Sequence, residues 1–168
     1  TDGAGLKYLA PNDHQYHYIN ELFAKTLAIP AEELSFVVHD IVQDNQGLLW
    51  FATNIGLFTL DNNNTLKQVK PANEQFSTDT KFRSLTIDDK GRLWIASSQG
   101  LYFISEYSHT MMAYNFGFQD DFSPYKYQII KLYFSQGYLW LGTMGGIVRL
   151  SAEAQQLVLL NHDPENPY

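Results

Sequence analysis

One stretch decides the fold of this 168-residue chain, and it reads DNQGLLWFATNIGL at positions 44–57. It returns twice, as DDKGRLWIASSQGL at positions 88–101 and as FSQGYLWLGTMGGI at positions 134–147. The three tryptophans of the protein occupy one position of this unit, at Trp50, Trp94 and Trp140. They lie 44 and 46 residues apart. That period is typical of a four-stranded propeller blade rather than of a helical or leucine-rich repeat.

Each copy predicts short strands joined by two turns. An Asp at the first turn can accept backbone N–H bonds, and a Gly three residues later takes the positive φ that a short hairpin demands. A second Gly, six residues after the Trp, opens the next strand. The structural repeat positions are Asp44, Gly47, Trp50 and Gly56 in the first copy, Asp88, Gly91, Trp94 and Gly100 in the second, and Gly137, Trp140 and Gly146 in the third.

We therefore predict an all-β fold, a β-propeller fragment of about 3.5 four-stranded antiparallel blades, which is fewer than the usual minimum of four for closure. Residues 12–30 are interpreted as an unusually long linker, and the whole chain as a piece of a larger propeller. The expected divisions are the end of a preceding blade at residues 1–20, blades at residues 34–70, 80–117 and 127–160, and a linker to a next blade at residues 161–168.

Composition excludes several classes of function. The net charge is −7 with only 11 Lys and Arg, so the chain offers no basic stripe for nucleic acid and no attraction to an anionic membrane. It has no Cys, which removes disulfides, thiol catalysis and zinc sites of the Cys type. Its longest apolar runs fall far short of the roughly 20 residues of a membrane span, so no membrane contact by this segment is expected.

The repeated pattern, together with the linker HDPENP at residues 162–167, resembles the two-component regulator propeller repeat. That family forms the N-terminal sensor region of bacterial hybrid histidine kinases and of some GGDEF-type diguanylate cyclases. The resemblance implies two seven-bladed propellers, then a β-sandwich domain, a transmembrane helix and a cytoplasmic output domain. It also implies a periplasmic location for the sensor. Two positions depart from the pattern, since Phe134 replaces the turn Asp and Ser97 replaces Thr.

Two sets of aromatic residues are candidate functional positions. The repeated tryptophans are interpreted as packing residues between adjacent sheets, because periodic apolar positions form cores. The loop at residues 116–127 is a candidate ligand platform, since aromatic rings can stack on a sugar while carboxylates accept hydrogen bonds from its hydroxyls. Packing of these rings over a blade is the preferred alternative. The ligand-binding candidates are Phe118, Asp120, Asp121, Phe122 and Tyr125.

Neither a metal site, a cofactor nor a catalytic residue is predicted. His14 and His17, with Asp13 beside them, would point to opposite faces of the strand expected at residues 15–19. The run DNNN at residues 61–64 has oxygen ligands that a calcium loop could use, but it lacks the glutamate of a helix-loop-helix calcium site and is interpreted as a polar hairpin turn.

Three functions are consistent with these observations. The leading hypothesis is a non-catalytic sensor module that recognises a small molecule, for instance a carbohydrate, or a partner domain, and passes the signal to a kinase or cyclase. The second is a propeller enzyme acting on glycans. The third is a scaffold or dimerisation module, because open sheet edges pair readily and two copies of about 3.5 blades make about seven.

Overall fold

The computed structural model describes residues 6–9, 16–69, 80–106, 110–116, 128–151 and 157–160. Fourteen strands and one helix are found in these segments. A hairpin of β1 (Lys7–Leu9) and β2 (Tyr16–Tyr18) precedes the helix α1 (Asn20–Leu27). Sheet I then comprises β3 (Val38–Gln43), β4 (Leu49–Thr53), β5 (Gly56–Leu60) and β6 (Leu66–Val69).

Two more sheets repeat this plan. Sheet II comprises β7 (Phe82–Ile87), β8 (Leu93–Ser97), β9 (Gly100–Ile104) and β10 (Met111–Ala113). Sheet III comprises β11 (Ile129–Ser135), β12 (Tyr138–Thr143), β13 (Gly146–Ser151) and β14 (Leu157–Leu160). Each is an antiparallel meander whose strands lie in sequence order. The predicted all-β fold built from four-stranded antiparallel blades is confirmed.

The sheets pack face to face, and Trp50 and Trp94 lie between them. We call the face that carries the tryptophan the trailing face and the opposite one the leading face. The trailing face of sheet I, with Trp50, Ala52 and Leu57, forms one buried cluster with Leu85 and Ile95 on the leading face of sheet II. Burying such large apolar side chains contributes about 1.5–3 kcal/mol each. These contacts therefore hold neighbouring sheets together.

The same packing recurs one sheet further along. Trp94 and Leu101, on the trailing face of sheet II, cluster with Leu139, Leu141 and Val148 of sheet III. Because side chains alternate between the faces of a strand, the periodic apolar positions supply both faces of every sheet. Each sheet is thus apolar on both sides.

A carboxylate links the first turn of the repeat to its tryptophan. In sheet I, one oxygen of Asp44 accepts the backbone N–H groups of Gln46 and Leu48 at 2.9 Å each. The other oxygen accepts the indole Nε1–H of Trp50 at 2.9 Å. Gly47 sits in this turn with φ of +84°, a conformation that L side chains rarely adopt. One side chain thereby fixes the turn and orients the ring that packs between sheets.

The second copy strengthens this link. Asp88, which is buried, accepts the indole N–H of Trp94 at 2.8 Å and also the guanidinium Nε–H of Arg92 at 2.6 Å. The Arg92 guanidinium lies 5.3 Å from the centre of the Trp94 ring. A buried carboxylate needs hydrogen bonds or an opposite charge, because removing a charge from water is costly. For Asp88, the Arg92 guanidinium supplies both.

The DNNN run forms the same kind of turn between β5 and β6. One oxygen of Asp61 accepts the backbone N–H groups of Asn63 and Thr65 at 2.9 Å each, and Asn64 takes the glycine position with φ of +58°. Hydrogen bonding, first from the backbone of Thr65, holds the pKa of Asp61 below its ordinary value of 3.8. The structure agrees with a polar hairpin turn at this run.

The first turn of the third copy is different. Phe134 lies inside β11, paired with Leu139, instead of starting a loop as the turn Asp does. The hairpin closes with two residues, Gln136 at φ of +53° and Gly137 at +78°. Two positive φ values in a two-residue loop define a type I′ turn, whose twist matches the flanking strands. The departure at Phe134 thus reflects a shorter turn, which does not require the Asp.

The segment interpreted as a long linker, residues 12–30, contains β2 and the helix α1, and that interpretation is corrected. The helix buries Phe23 against the leading face of sheet I. Ring centroids of Phe23 lie 4.5 Å from Phe36, 4.8 Å from Phe58 and 6.0 Å from Phe51. The chain leaves the helix through Ala28 in a left-handed conformation. The helix therefore covers part of a sheet face that would otherwise be bare.

The tryptophans differ in what covers them. Trp50 is 6% exposed and Trp94 is 1% exposed, whereas Trp140, on the trailing face of sheet III, is only half-buried. In the described part of the chain no further sheet covers that face. We predict that Trp94→Ala lowers the free energy of unfolding by about 3–5 kcal/mol, the usual cost of emptying a core aromatic site.

Trp140→Ala is the matched variant for this prediction, and we expect a clearly smaller loss because the ring is already partly in water. Urea unfolding followed by far-UV circular dichroism measures both. Equal losses in the two variants would contradict the assignment of Trp94 as an inter-sheet residue and of Trp140 as one on an open face.

The type I′ turn makes a second prediction. Asn adopts positive φ more readily than Gln, and Asn-Gly is the preferred type I′ pair. Gln136→Asn should therefore raise the free energy of unfolding by about 0.5 kcal/mol, measured by the same urea titration. Gln46→Asn is the control, since Gln46 lies in the first-copy turn at negative φ, and it should bring no such gain. A destabilised Gln136→Asn variant would refute the turn type.

Candidate functional site

The inner edge of the sheets is the candidate functional site. The strands β3, β7 and β11 come first in their sheets, so each has one edge without a partner strand within its sheet. Packing of the sheets brings β3 against β7 and β7 against β11. In propellers, the innermost strands of the blades surround the central channel. This edge is thus the surface to which all three sheets contribute equivalent residues.

Each inner strand carries a bulge at the same place. The pairing register shifts between Val38 and Asp40, between Phe82 and Ser84, and between Ile129 and Lys131. A bulge leaves one residue unpaired and re-aims its side chain, and bulges are common beside active sites. The bulge residues are His39, Arg83 and Ile130. His39 and Ile130 are exposed and Arg83 is half-buried.

The residues after the bulges form a hydrogen-bond network across all three sheets. One carboxylate oxygen of Asp40 accepts the Ser84 hydroxyl at 2.8 Å, the Leu85 backbone N–H at 2.9 Å and the Lys131 ammonium at 2.7 Å. The Ser84 hydroxyl oxygen in turn accepts the Leu132 backbone N–H at 3.0 Å. These bonds hold the three inner strands in one alignment, so the bulge residues lie in a row.

Charge is concentrated along this edge. Burial alone raises the pKa of Asp40, but hydrogen bonds from Lys131, Leu85 and Ser84 outweigh it and hold that pKa below its ordinary value of 3.8. Partial desolvation of the exposed His39 ring, and after it the positive charges of Arg83 and Lys81, lower the pKa of His39 below 6.5. Arg83 is paired with no carboxylate of the segments that the structure describes. Among the residues that the structure describes, this edge carries Lys81, Arg83 and Lys131 against the single carboxylate of Asp40.

Two other surfaces of the described residues are candidate sites. A groove of about 650 Å³ lies between the β1–β2 hairpin, the helix and sheet I, and its walls include Tyr8, Tyr18 and Ile41. Ile41 is 43% exposed, whereas Leu85, its counterpart on the leading face of sheet II, is 2% exposed because sheet I covers it. The groove therefore lies on the leading face of sheet I, the face that in sheet II is packed against a neighbouring sheet.

The trailing face of sheet III is the second such surface. Tyr133 is 65% exposed there, and the Arg149 guanidinium lies 4.6 Å from the ring centre of Tyr138 and 5.8 Å from that of Trp140. Aromatic residues and arginine are enriched among residues that dominate interface energies. This face is suited to contact with another protein surface rather than to a small ligand, because it is a sheet surface and not a cleft.

The structure does not test the residues predicted from the sequence as ligand contacts, which stay a prediction. Phe118, Asp120, Asp121, Phe122 and Tyr125 lie outside the described residues. Asp13 and His14 lie outside them as well, and His17 falls in β2. Among the residues that the structure does describe, no group of three or more His, Cys, Asp or Glu side chains could hold a metal ion. Nor does any helix there have the length and apolarity to cross a membrane.

Sequence reasoning missed the inner-edge residues. Asp40 and Ser84 lie ten residues before Trp50 and Trp94, and Lys131 lies nine before Trp140, so the repeat does place all three at one structural position. The spacing from the tryptophan is shared, but the residue types at this position differ between the three copies. The repeat therefore locates the position without indicating which groups its side chains contact.

The strand order, the repeated sheets and their face-to-face packing define this chain as part of a β-propeller. Within that class, it carries a repeat of the kind described as "Two component regulator propeller", whose family model matches residues 35–54. The prediction of this repeat is confirmed. No curated protein matches the chain in sequence.

Solved structures with the same fold include sensor-system domains. The extracellular domain of the hybrid two component system BT4673 from B. thetaiotaomicron matches with a TM-score of 0.62 and 20% identity, over 79% of this chain and 16% of that one. The corresponding domain of BT3049 from the same organism matches with a TM-score of 0.57 and 23% identity, over 74% and 18%. The chain thus spans less than a fifth of these two structures.

An enzyme shares the fold too. Virginiamycin B lyase from Staphylococcus aureus matches with a TM-score of 0.56 and 14% identity, over 77% of this chain and 42% of that one. At these identities the likeness shows the fold alone. Function must therefore be argued from sites on the fold.

The Asp40 network predicts a pH dependence. A carboxyl whose pKa is lowered by folding stabilises the protein above its ordinary value of 3.8, and that contribution disappears as the pH falls through the lower, folded value. Asp40→Asn should therefore be less stable than the unmodified protein at pH 7, and the difference should shrink below about pH 4. Urea unfolding measured between pH 7 and pH 2.5 tests this.

Lys131→Met is the matched variant, because it keeps the carboxylate and removes one of its three donors. The pKa of Asp40, followed through the chemical shift of its carboxyl carbon, should rise relative to the unmodified protein. The network would be refuted if Asp40 titrated identically in both proteins.

Proposed function

We propose that this chain is a non-catalytic sensor module that recognises a ligand or a partner within a bacterial transmembrane signal-transduction protein. The observation that carries the proposal is the match of residues 35–54 to the two component regulator propeller repeat. Two structural neighbours from sensor systems, both extracellular domains, support it. The recognised molecule is a small molecule, for instance a carbohydrate, or a partner domain.

The proposal includes a location and an output. The module lies in the periplasm as the extracytoplasmic part of an inner-membrane protein. Its output domain, a histidine kinase or a GGDEF diguanylate cyclase, lies outside this chain. The proposal also divides the chain into blades at residues 34–70, 80–117 and 127–160. Residues 1–20 are proposed as the end of a preceding blade, and residues 161–168 as a linker to a next blade.

The alignment of the inner strands supports a sensing role physically. The network from Asp40 through Ser84 to the backbone of Leu132 couples three sheets through hydrogen bonds to two side chains. A ligand that changes these contacts changes how neighbouring sheets sit together. Such a packed interface with discrete arrangements can pass binding energy to a distant domain.

The test uses the full-length protein in membrane vesicles. Autophosphorylation and cyclic diguanylate synthesis are measured with a panel of oligosaccharides on the side of the propeller. We expect one of the two outputs to change with at least one compound, and the change to be lost in a variant lacking residues 34–160. The proposal would fail if the coding sequence of the full protein held neither a transmembrane segment nor an output domain.

Two alternatives give different results in the same preparation. A propeller enzyme acting on glycans, favoured by the fold likeness to virginiamycin B lyase, would cleave members of the panel. A scaffold or dimerisation module, favoured by the exposed aromatic trailing face of sheet III, would make the chain dimeric by light scattering. Uncleaved glycans and a monomeric chain would leave the sensor as the function.

A further inference from the structure

The row of bulge residues on the inner edge combines three chemically different side chains. His39 comes from sheet I, Arg83 from sheet II and Ile130 from sheet III. Asp40, Ser84 and Lys131, which directly follow the bulge residues, and the backbone of Leu132 are joined by hydrogen bonds, so the three bulges follow one another along the edge. The hydrogen bonds therefore fix the strands that carry the three bulge residues relative to one another.

Arg83 is the member of the row with unused binding capacity. A guanidinium has five N–H donors, no acceptor and a permanent positive charge. The side chain is half-buried, and no carboxylate of the described segments pairs with it. Its planar fork matches the two oxygens of a carboxylate or the oxygens of a sulfate group. Arg83 is therefore equipped to bind an oxyanion at the inner edge.

The surroundings of Arg83 favour the same ligand. Lys81 lies two residues before it, with an exposed side chain, and its positive charge reaches His39. The Lys131 ammonium is bound to Asp40, yet its side chain is 62% exposed. In the described part of the chain, Lys81 and Arg83 thus lie beside the Asp40–Lys131 ion pair, a local excess of positive charge in a chain with 11 Lys and Arg against 18 Asp and Glu. Like charges held together in this way attract anions.

We propose that the row His39–Arg83–Ile130, with Lys81 beside it, binds the oxyanion group of a small molecule, a carboxylate or sulfate, at the inner edge of the sheets. Arg83 makes the bidentate contact and Lys81 adds charge. His39 donates one ring N–H, and Ile130 offers an apolar wall to the body of the ligand. The inference deepens the proposed sensor function, on which it rests for its biological meaning.

The experiment is a titration of the isotope-labelled chain followed by amide chemical shifts at constant ionic strength. The probes are sodium glucuronate, its neutral counterpart glucose, and sodium sulfate. We expect saturable shifts in β3, β7 and β11 with glucuronate and none with glucose. Saturation by sulfate at the same amides would identify the oxyanion itself as the recognised group, whereas saturation by glucuronate alone would identify the carboxylate.

Variants locate the binding. Arg83→Gln should weaken glucuronate binding about tenfold or more, as expected when a charged hydrogen-bonding partner is lost. Arg83→Lys keeps the positive charge but loses the planar, two-pronged donor geometry of the guanidinium. Its affinity for glucuronate should therefore lie between those of the unmodified chain and of Arg83→Gln. Lys67→Gln, on the outer strand β6, removes the same charge away from the edge and should bind like the unmodified chain.

Three results would overturn the site. They are the absence of saturable shifts with either anion, equal weakening in Arg83→Gln and Lys67→Gln, and shifts as large with glucose as with glucuronate. A failure here is separate from a failure of the sensor function. A full-length protein whose output still responds to a compound would remain a sensor, with its ligand bound elsewhere.

Discussion

Every sheet in this molecule is apolar on both faces, and this constraint governs the rest of the structure. A sheet of that kind gains stability from a neighbouring sheet on either side, because burial of apolar surface is favourable. Trp50 and Trp94 provide such burial because their rings fill the space between sheets. The turn carboxylates hold those rings in place by accepting the indole N–H, at 2.9 Å in sheet I and 2.8 Å in sheet II. A turn residue and a packing residue thus act as one unit.

The same constraint positions the inner edge. Because the sheets stack by equivalent faces, their first strands come to lie side by side, and bulges at one register position are brought together. Because these strands are close, the side chains of Asp40 and Ser84 accept hydrogen bonds from backbone N–H groups of the next sheet. The site is therefore a product of stacking, and a single sheet would contain only one of its members. Its chemistry depends on which side chain each copy of the repeat supplies at the bulge.

The architecture could be predicted from the sequence because the same blade signature occurs three times. Trp50 and Trp94 lie in the buried clusters between sheets. They are on the faces that the alternation of side chains along a strand predicts. The helix at residues 20–27 was missed, although Ile19, Leu22, Phe23 and Leu27 follow helical spacing, because it is short and its N-cap position holds an Ile without a side-chain cap.

The third hairpin and the inner edge were missed for a different reason. Gly137 aligns with the other turn glycines, so the alignment suggested the same loop, while the pairing of Phe134 shows a shorter one. At the bulges the three copies carry His, Arg and Ile, and a position defined by strand register has no residue signature of its own. Pairing between strands is a long-range property that a pattern of residue types does not contain.

Turn carboxylates fix the tryptophans between sheets in the first two copies and not in the third. Hydrogen exchange of the three indole N–H protons, resolved by nuclear magnetic resonance, measures this difference. We expect slow exchange for Trp50 and Trp94, whose N–H groups are bonded to Asp44 and Asp88, and fast exchange for the half-buried Trp140. Equal exchange rates at all three would contradict it.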